Sequence, residues 1–250
     1  MRFVHELRSH LQYKIILPFL LLTLLVALAG SAVSFLLITG TAQERLNNQL
    51  AQAARATSDA LVNQERANLV FLREVAFAGP NNQTGAPAVA DALADKNSSG
   101  LAQALDPYLR AGALRPGVRA DRLIAFDIAH RSLIDWELIR DSSGAVTRVN
   151  HDPRDVGALW FVPLILGGQQ DQLGDKYAGL LDLSDSDTRY LFSVAPVVKG
   201  DKVVGGLIVA ARLDTILQSL SASSQTAVIS LYRAEDGSAF ASSAAPGNGL

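Results

Sequence analysis

The sequence contains no cysteine. That excludes disulfide scaffolds, thiolate metal sites and cysteine nucleophiles, and leaves the compartment open. Charge is also scarce. Only 18% of the 250 residues are Asp, Glu, Lys or Arg, and the net charge is −2. Without a basic excess there is no bulk attraction for nucleic acid. The four histidines, at positions 5, 10, 130 and 151, form no ligand spacing. No nucleophile elbow and no Gly-rich phosphate cradle is present. Asp182, Asp185 and Asp187 offer oxygen ligands of the kind Ca²⁺ takes, but Arg189 follows and the rest of such a loop is missing. The expectation is therefore no catalytic residue, no metal and no cofactor.

Apolar residues, by contrast, are abundant and concentrated. Mean hydropathy is +0.19, and much of it comes from Ile15–Gly40, 26 residues without a charge. As a helix this block reaches about 39 Å, enough to cross a hydrocarbon core of about 30 Å with tilt. Pro18 stands near its start, where a missing backbone donor costs little. Arg2, Arg8 and Lys14 precede the block, so the positive-inside rule puts the N-terminus in the cytoplasm and everything after Thr41 outside. Ala27-Leu28-Ala29-Gly30 resembles a cleavage site. The apolar run continues through Phe35-Leu36-Leu37-Ile38, too far for a signal peptide, and the reading is an uncleaved anchor. Ala27, Gly30, Ser31 and Ser34 allow close pairing of two such helices.

Glycine and proline are then absent from Thr41 to Ala78. Leu46, Leu50, Ala53, Thr57, Leu61, Asn68, Leu72 and Val75 recur at steps of three and four, with a gap near Gln64. This predicts an amphipathic helix continuous with the span. Its stripe is thin and Ala-rich and needs a cover: its own domain, a second copy, or both. Gly79-Pro80-Asn81-Asn82 ends it.

Two further helices are predicted, over about Ala86–Asp95 and Leu101–Ala113, with Asn97–Gly100 a loop between them and Arg115-Pro116-Gly117 a stop. The period then changes to two. Arg122–Ile128 and Ser132–Arg140 read as a hairpin, the latter with Ile134, Trp136 and Leu138 on one face and Asp135 and Glu137 on the other. Asp141–Gly144 turns into a short strand, Ala145–Val149. Asp155–Leu166 reads as a helix interrupted at Pro163. Three strands follow, Lys176–Asp182, Arg189–Val198 and Val203–Ala211, turning at Asp185–Asp187 and Lys199–Lys202. A helix over Asp214–Leu220, a linker Ser221–Ser224 and a last hairpin, Thr226–Tyr232 with Ser238–Ser242, complete the chain. Short turns favour antiparallel pairing, so the fold class is α+β. One antiparallel sheet has its concave face covered by loops and a helix.

Three segments carry a resemblance: Gly174-Asp175-Lys176-Tyr177-Ala178-Gly179-Leu180, Tyr190–Val197, and Val203-Val204-Gly205-Gly206-Leu207-Ile208-Val209 running into Leu213–Leu217. In this succession residues 15 to 250 resemble the extracytoplasmic sensor region of bacterial double Cache receptors. The resemblance implies a cytoplasmic tail (1–14), a transmembrane helix (15–40), a stalk helix (41–78), a membrane-distal PAS-like Cache domain (79–221) and the start of a membrane-proximal module (222–250). It also implies a homodimer and a small-molecule ligand. No second span and no effector follows, so the expectation is the sensory front part of a receptor.

The expected ligand pocket draws on Trp136, Arg154, Trp160, Tyr177, Asp182, Tyr190 and Phe192. An Arg can fork onto a carboxylate, and Trp or Tyr can box a cation or ring. Amino-acid-binding members of the family carry an Arg two residues before a Trp-aromatic pair. Here Trp160-Phe161 is present, but position 158 is Ala and Arg154 lies six residues before the Trp. The plainer alternatives are core positions for Trp136, Tyr190 and Phe192, a surface ion pair of Arg154 with Asp152 or Asp155, and a turn at Asp182. On those alternatives the chain is an anchored interaction module without a small ligand.

Overall fold

A computed structural model describes residues 2–114, 119–140, 146–169, 177–183, 188–224, 228–233 and 235–243. The expected stop at 115–117, the turns at 141–144 and 185–187, and the strand starts at 176 and 226–227 lie outside them. The helices are α1 (Arg2–Ala76), α2 (Val89–Ala94), α3 (Ser98–Leu114), α4 (Val162–Leu166) and α5 (Leu213–Ser224). The strands are β1 (Arg122–Asp127), β2 (Ser132–Arg140), β3 (Val146–Asn150), β4 (Tyr177–Asp182), β5 (Arg189–Lys199), β6 (Lys202–Arg212), β7 (Ser230–Tyr232) and β8 (Ala239–Ser242). The chain divides into two compact units, Met1–Arg55 and Ala56–Leu250.

The first unit is helical. Among the described residues, Leu17–Phe35 is the one stretch long and apolar enough to cross a membrane. Pro18 lies well inside α1 rather than at a helix start. It removes one backbone bond, a loss that membrane helices tolerate. Thr23, polar within this stretch, turns its hydroxyl back onto the carbonyls of Phe19 (3.0 Å) and Leu20 (2.9 Å), so its donor is satisfied within the helix.

In the second unit the stripe of α1 turns inward from Thr57, with Leu61 partly buried. Leu72 and Val75 are inaccessible, and Gln64, where the apolar pattern skips, is buried as well. The loop expected at Asn97–Gly100 is instead the first turn of α3. Asn97 caps it, its Oδ1 accepting the Gly100 amide at 2.9 Å, which satisfies one orphan donor of the turn. The expected linker Ser221–Ser224 is the last turn of α5. Ser219 and Ser223 donate to the carbonyls of Ile216 (2.8 Å) and Leu220 (3.1 Å), which keeps their hydroxyls within the helix.

The main sheet has six strands in the order β3-β2-β1-β6-β5-β4, each neighbouring pair antiparallel. Both faces are covered, which is why all six residues of β1 are buried. On the helix side, Leu72, Val75, Leu93, Leu101 and Leu105 pack on Leu123, Ala125, Leu207 and Val209. Each fully buried Leu contributes about 2 kcal/mol. On the loop side, Phe161, Val162 and Ile165 pack on Ile124, Phe126, Tyr190, Phe192 and Ile208. The helix expected over Asp155–Leu166 is confined to α4, with Pro163 in its first turn. There the ring starts a helix rather than interrupting one. β7 and β8 form a separate two-stranded sheet.

Candidate functional site

The site is built on the loop side by residues 151–161 and strands β1, β2, β4 and β5. The loop is tied to the start of β2. The Ser132 amide donates to the Arg154 carbonyl (2.9 Å), and the Arg154 amide donates to Ser132 Oγ (2.8 Å). The Val156 amide donates to the His130 carbonyl (2.8 Å), and the His151 amide to the Asp135 carbonyl (2.9 Å). Gly157 crosses beside His130, whose Nδ1 occupies the place a β-carbon would need.

Period-two geometry sets which side chains reach this face. Arg122 of β1 and Asp135 of β2 meet here, wholly buried. Arg122 holds Asp135 in a fork, Nε–Oδ1 2.8 Å and Nη2–Oδ2 3.1 Å. Arg154 reaches the same carboxylate from the loop, Nε–Oδ2 2.8 Å, with its side chain 22% exposed. Arg154 is thus paired with Asp135 across the loop and the sheet. Asp135 anchors the loop to the sheet, with the Arg154 side chain partly exposed.

Two residues along β2, Glu137 gathers a second polar group. His151 Nε2 lies 3.1 Å from Glu137 Oε2, the Tyr190 hydroxyl donates to Oε1 at 3.4 Å, and Arg212 stands 3.7 Å away. Burial pushes the Tyr190 phenol up from its ordinary pKa. The Glu137 charge adds to this, and Arg122 and Arg212 oppose it.

The rest of the face is aromatic. Phe161 stacks on Phe192, centroids 4.4 Å apart. Trp160 stands edge-on to Phe161 (5.5 Å), Tyr177 (5.9 Å) and Phe192 (6.5 Å). Phe192 and Tyr190 are inaccessible, yet Trp160 remains 59% exposed. Gly179, paired with Phe192, leaves room for that ring.

Five of the expected residues, Arg154, Trp160, Tyr177, Tyr190 and Phe192, thus share the loop side. Trp136 points to the helix side, buried there under the Arg148 guanidinium 4.4 Å above its ring. Asp182 closes β4 opposite Arg189, exposed, with a 3.6 Å ion pair. Sequence reasoning missed Arg122, Asp135, Glu137 and Arg212. The signal was present in the alternation of β2, where two acids share the face opposite Trp136. Among the described residues no cluster of three or more His, Asp or Glu is placed to hold a metal.

No family model matches the sequence, and no curated protein matches it. Solved structures do. The sensor domain of the V. cholerae histidine kinase DctB superposes with a TM-score of 0.51 at 17% identity, over 80% of this chain and 66% of that one. The sensory domain of the Campylobacter jejuni chemoreceptor Tlp3 gives 0.50 at 12% identity, over 82% and 74%. The chain spans less than two thirds of the first three solved domains it matches, 60%, 64% and 66% of their lengths. With a six-stranded antiparallel sheet, helices on one face and a covering loop on the other, the chain has the mixed α+β, PAS-like fold of Cache-type sensory domains.

Proposed function

We propose that the chain is the ligand-sensing part of a membrane-anchored receptor. In this reading 15–40 is the span, 41–78 the stalk, 79–221 the sensing domain outside the cytoplasm, and 222–250 the start of a second module. A second copy pairs along α1, where Val62 and Val70 are exposed. The ligand is a small molecule taken at the loop side, with a carboxylate for Arg154 and an apolar or ring portion for Trp160 and Tyr177. Tyr190 and Phe192 form the floor. Trp136 and Asp182 have no part in it.

Trp160 carries this reading. A large aromatic residue fixed by three rings yet more than half exposed is what a binding surface presents before its ligand arrives. Occupancy drives signalling only if the ligand prefers one of two conformations. The test is calorimetry and thermal shift on the detergent-solubilised chain, against a library of small carboxylates, amines and zwitterions. A binder is expected, weakened at least about tenfold by Trp160→Ala. If no compound shifts the melting temperature, the second reading stands: an anchored interaction module without a ligand. The Phe161–Phe192 stack and the Arg122–Asp135–Arg154 group, which fill the face with the protein's own side chains, favour it.

A further inference from the structure

Three charges meet on the loop side, and they are not equivalent. Asp135 is wholly buried, and Arg122, which forks onto it through Nε and Nη2, is 1% exposed. Arg154 comes from the covering loop, and its side chain is 22% exposed. Its Nε meets Oδ2 of Asp135 at 2.8 Å, and that same oxygen already accepts from Arg122 Nη2 at 3.1 Å. One carboxylate therefore serves two guanidinium groups.

The two cations differ in what their departure would leave behind. Taking Arg122 away would strand a charge in the interior, which is strongly destabilising. Arg122 is also fixed from its other side, with its guanidinium 5.9 Å from the centre of the Tyr190 ring. Taking Arg154 away leaves Arg122 and Asp135 as a complete buried pair. The loop keeps its course, because the bonds that join Ser132 to Arg154 and Val156 to His130 use no atom of the guanidinium. Further along the same loop stands the exposed ring of Trp160. A ligand carboxylate arriving there brings a second negative charge. Shared with Asp135 on one guanidinium, the two carboxylates would repel each other in a partly buried setting. Held by Arg154 alone, the ligand avoids that repulsion.

We propose that Arg154 changes partners on binding: its guanidinium leaves Asp135 for the ligand carboxylate, and Asp135 stays with Arg122. The ionic tie between the loop and β2 is then exchanged for a tie between the loop and the ligand. This supplies two arrangements of the loop with unequal affinity for ligand, which is what a sensor needs. The exchange rests on the carboxylate reading given under Proposed function.

Calorimetry on the full chain in detergent tests it, with phenylacetate as the probe and phenylacetamide as the uncharged control. Asp135→Asn keeps the shape of the side chain and removes the competing charge. It should bind phenylacetate about tenfold more tightly than the parent does. Arg154→Gln should abolish binding in either background, and phenylacetamide should bind neither protein. If Asp135 only orients Arg154, Asp135→Asn will bind phenylacetate more weakly, which overturns the exchange and leaves the ligand reading standing. Phenylacetate that binds neither protein overturns both. Should Asp135→Asn fail to fold, the parent chain decides. Amide exchange at Ser132 and Val156, where the loop is attached, should quicken about fivefold as phenylacetate saturates, because the ionic tie is gone. Exchange that slows or stays constant on saturation overturns the proposal.

Discussion

On the helix side of the sheet, Leu72, Leu93, Leu123 and Val209 meet through non-directional contacts. On the loop side, Arg122, Asp135, Glu137 and Arg154 share the space with Phe126, Phe161 and Phe192. Aliphatic packing gives way gradually when a methylene is lost. Buried charges do not, because each depends on a specific partner. The same fold therefore joins a tolerant face that holds it together to an exacting face, where a competing charge has something to displace.

The sharpest way to break this comparison is Asp135→Ala. It strips the shared carboxylate from Arg122, which is buried, and from Arg154. The expected loss is about 3–5 kcal/mol. The control is Asp106→Ala, whose pairs with Arg110 (2.7 Å) and Arg148 (3.1 Å) lie at the surface and contribute about 0–1 kcal/mol. Urea unfolding can be followed by the two tryptophans, because Trp136 reports the helix side and Trp160 the loop side. Equal losses in the two variants would remove the distinction between the faces.

A smaller effect is expected at Gly206. A β-carbon there would run into the ring of Phe126, which faces the loop-side cluster from β1. Overpacking of this kind costs about 1–3 kcal/mol. Gly79, with no atom within 4 Å of the corresponding position, serves as the comparison and should accept Ala within about 0.5 kcal/mol. This gives a physical reason for the paired glycines of Val203–Val209. They are spaces for a neighbouring strand, Gly206 for the Phe126 ring and Gly205 for the Phe126 carbonyl.

Periodicity alone made the strands legible. β2 falls on the expected Ser132–Arg140, because strict alternation has one reading once a turn fixes its start. The part of α1 from Thr41 onward was legible as well, since an uninterrupted stretch without glycine or proline leaves little else. The ends of the shorter helices were not. Asn97 caps and Pro163 initiates, and each residue reads equally well as a breaker until its backbone angles are known. The site was legible in its aromatic half. Its charged half was hidden because Asp135 and Glu137 look like a solvated strand face. Only the covering loop, whose course depends on bonds such as Ser132 to Arg154, turns that face into an interior. Trp136 was misplaced for the same reason: both faces are covered, so burial alone does not say which one a large ring occupies.

The smallest expected effect belongs to a charge outside both clusters, Asp127 at the end of β1. Burial works against ionisation of its carboxyl. The amides of Arg131 (3.0 Å) and Ala129 (2.8 Å), together with the Lys96 ammonium (3.2 Å), outweigh that and hold its pKa below the ordinary carboxylate range. A carboxyl of lowered pKa contributes stability that is fully present above its unfolded pKa, about 3.9. That contribution is lost as the pH falls through the folded-state value. Asp127→Asn keeps an acceptor for the turn amides but removes the charge. The variant should be less stable than the parent by about 1 kcal/mol between pH 5 and 8, and the gap should close as the pH falls below about 4. Other carboxylates titrate in the same range, but they are common to both proteins and cancel in the difference. A gap that persists undiminished at pH 3 would mean that Asp127 acts through the shape of its turn rather than through its charge. The hairpin between β1 and β2 would then belong with the tolerant, packed face of the domain rather than with the charged one.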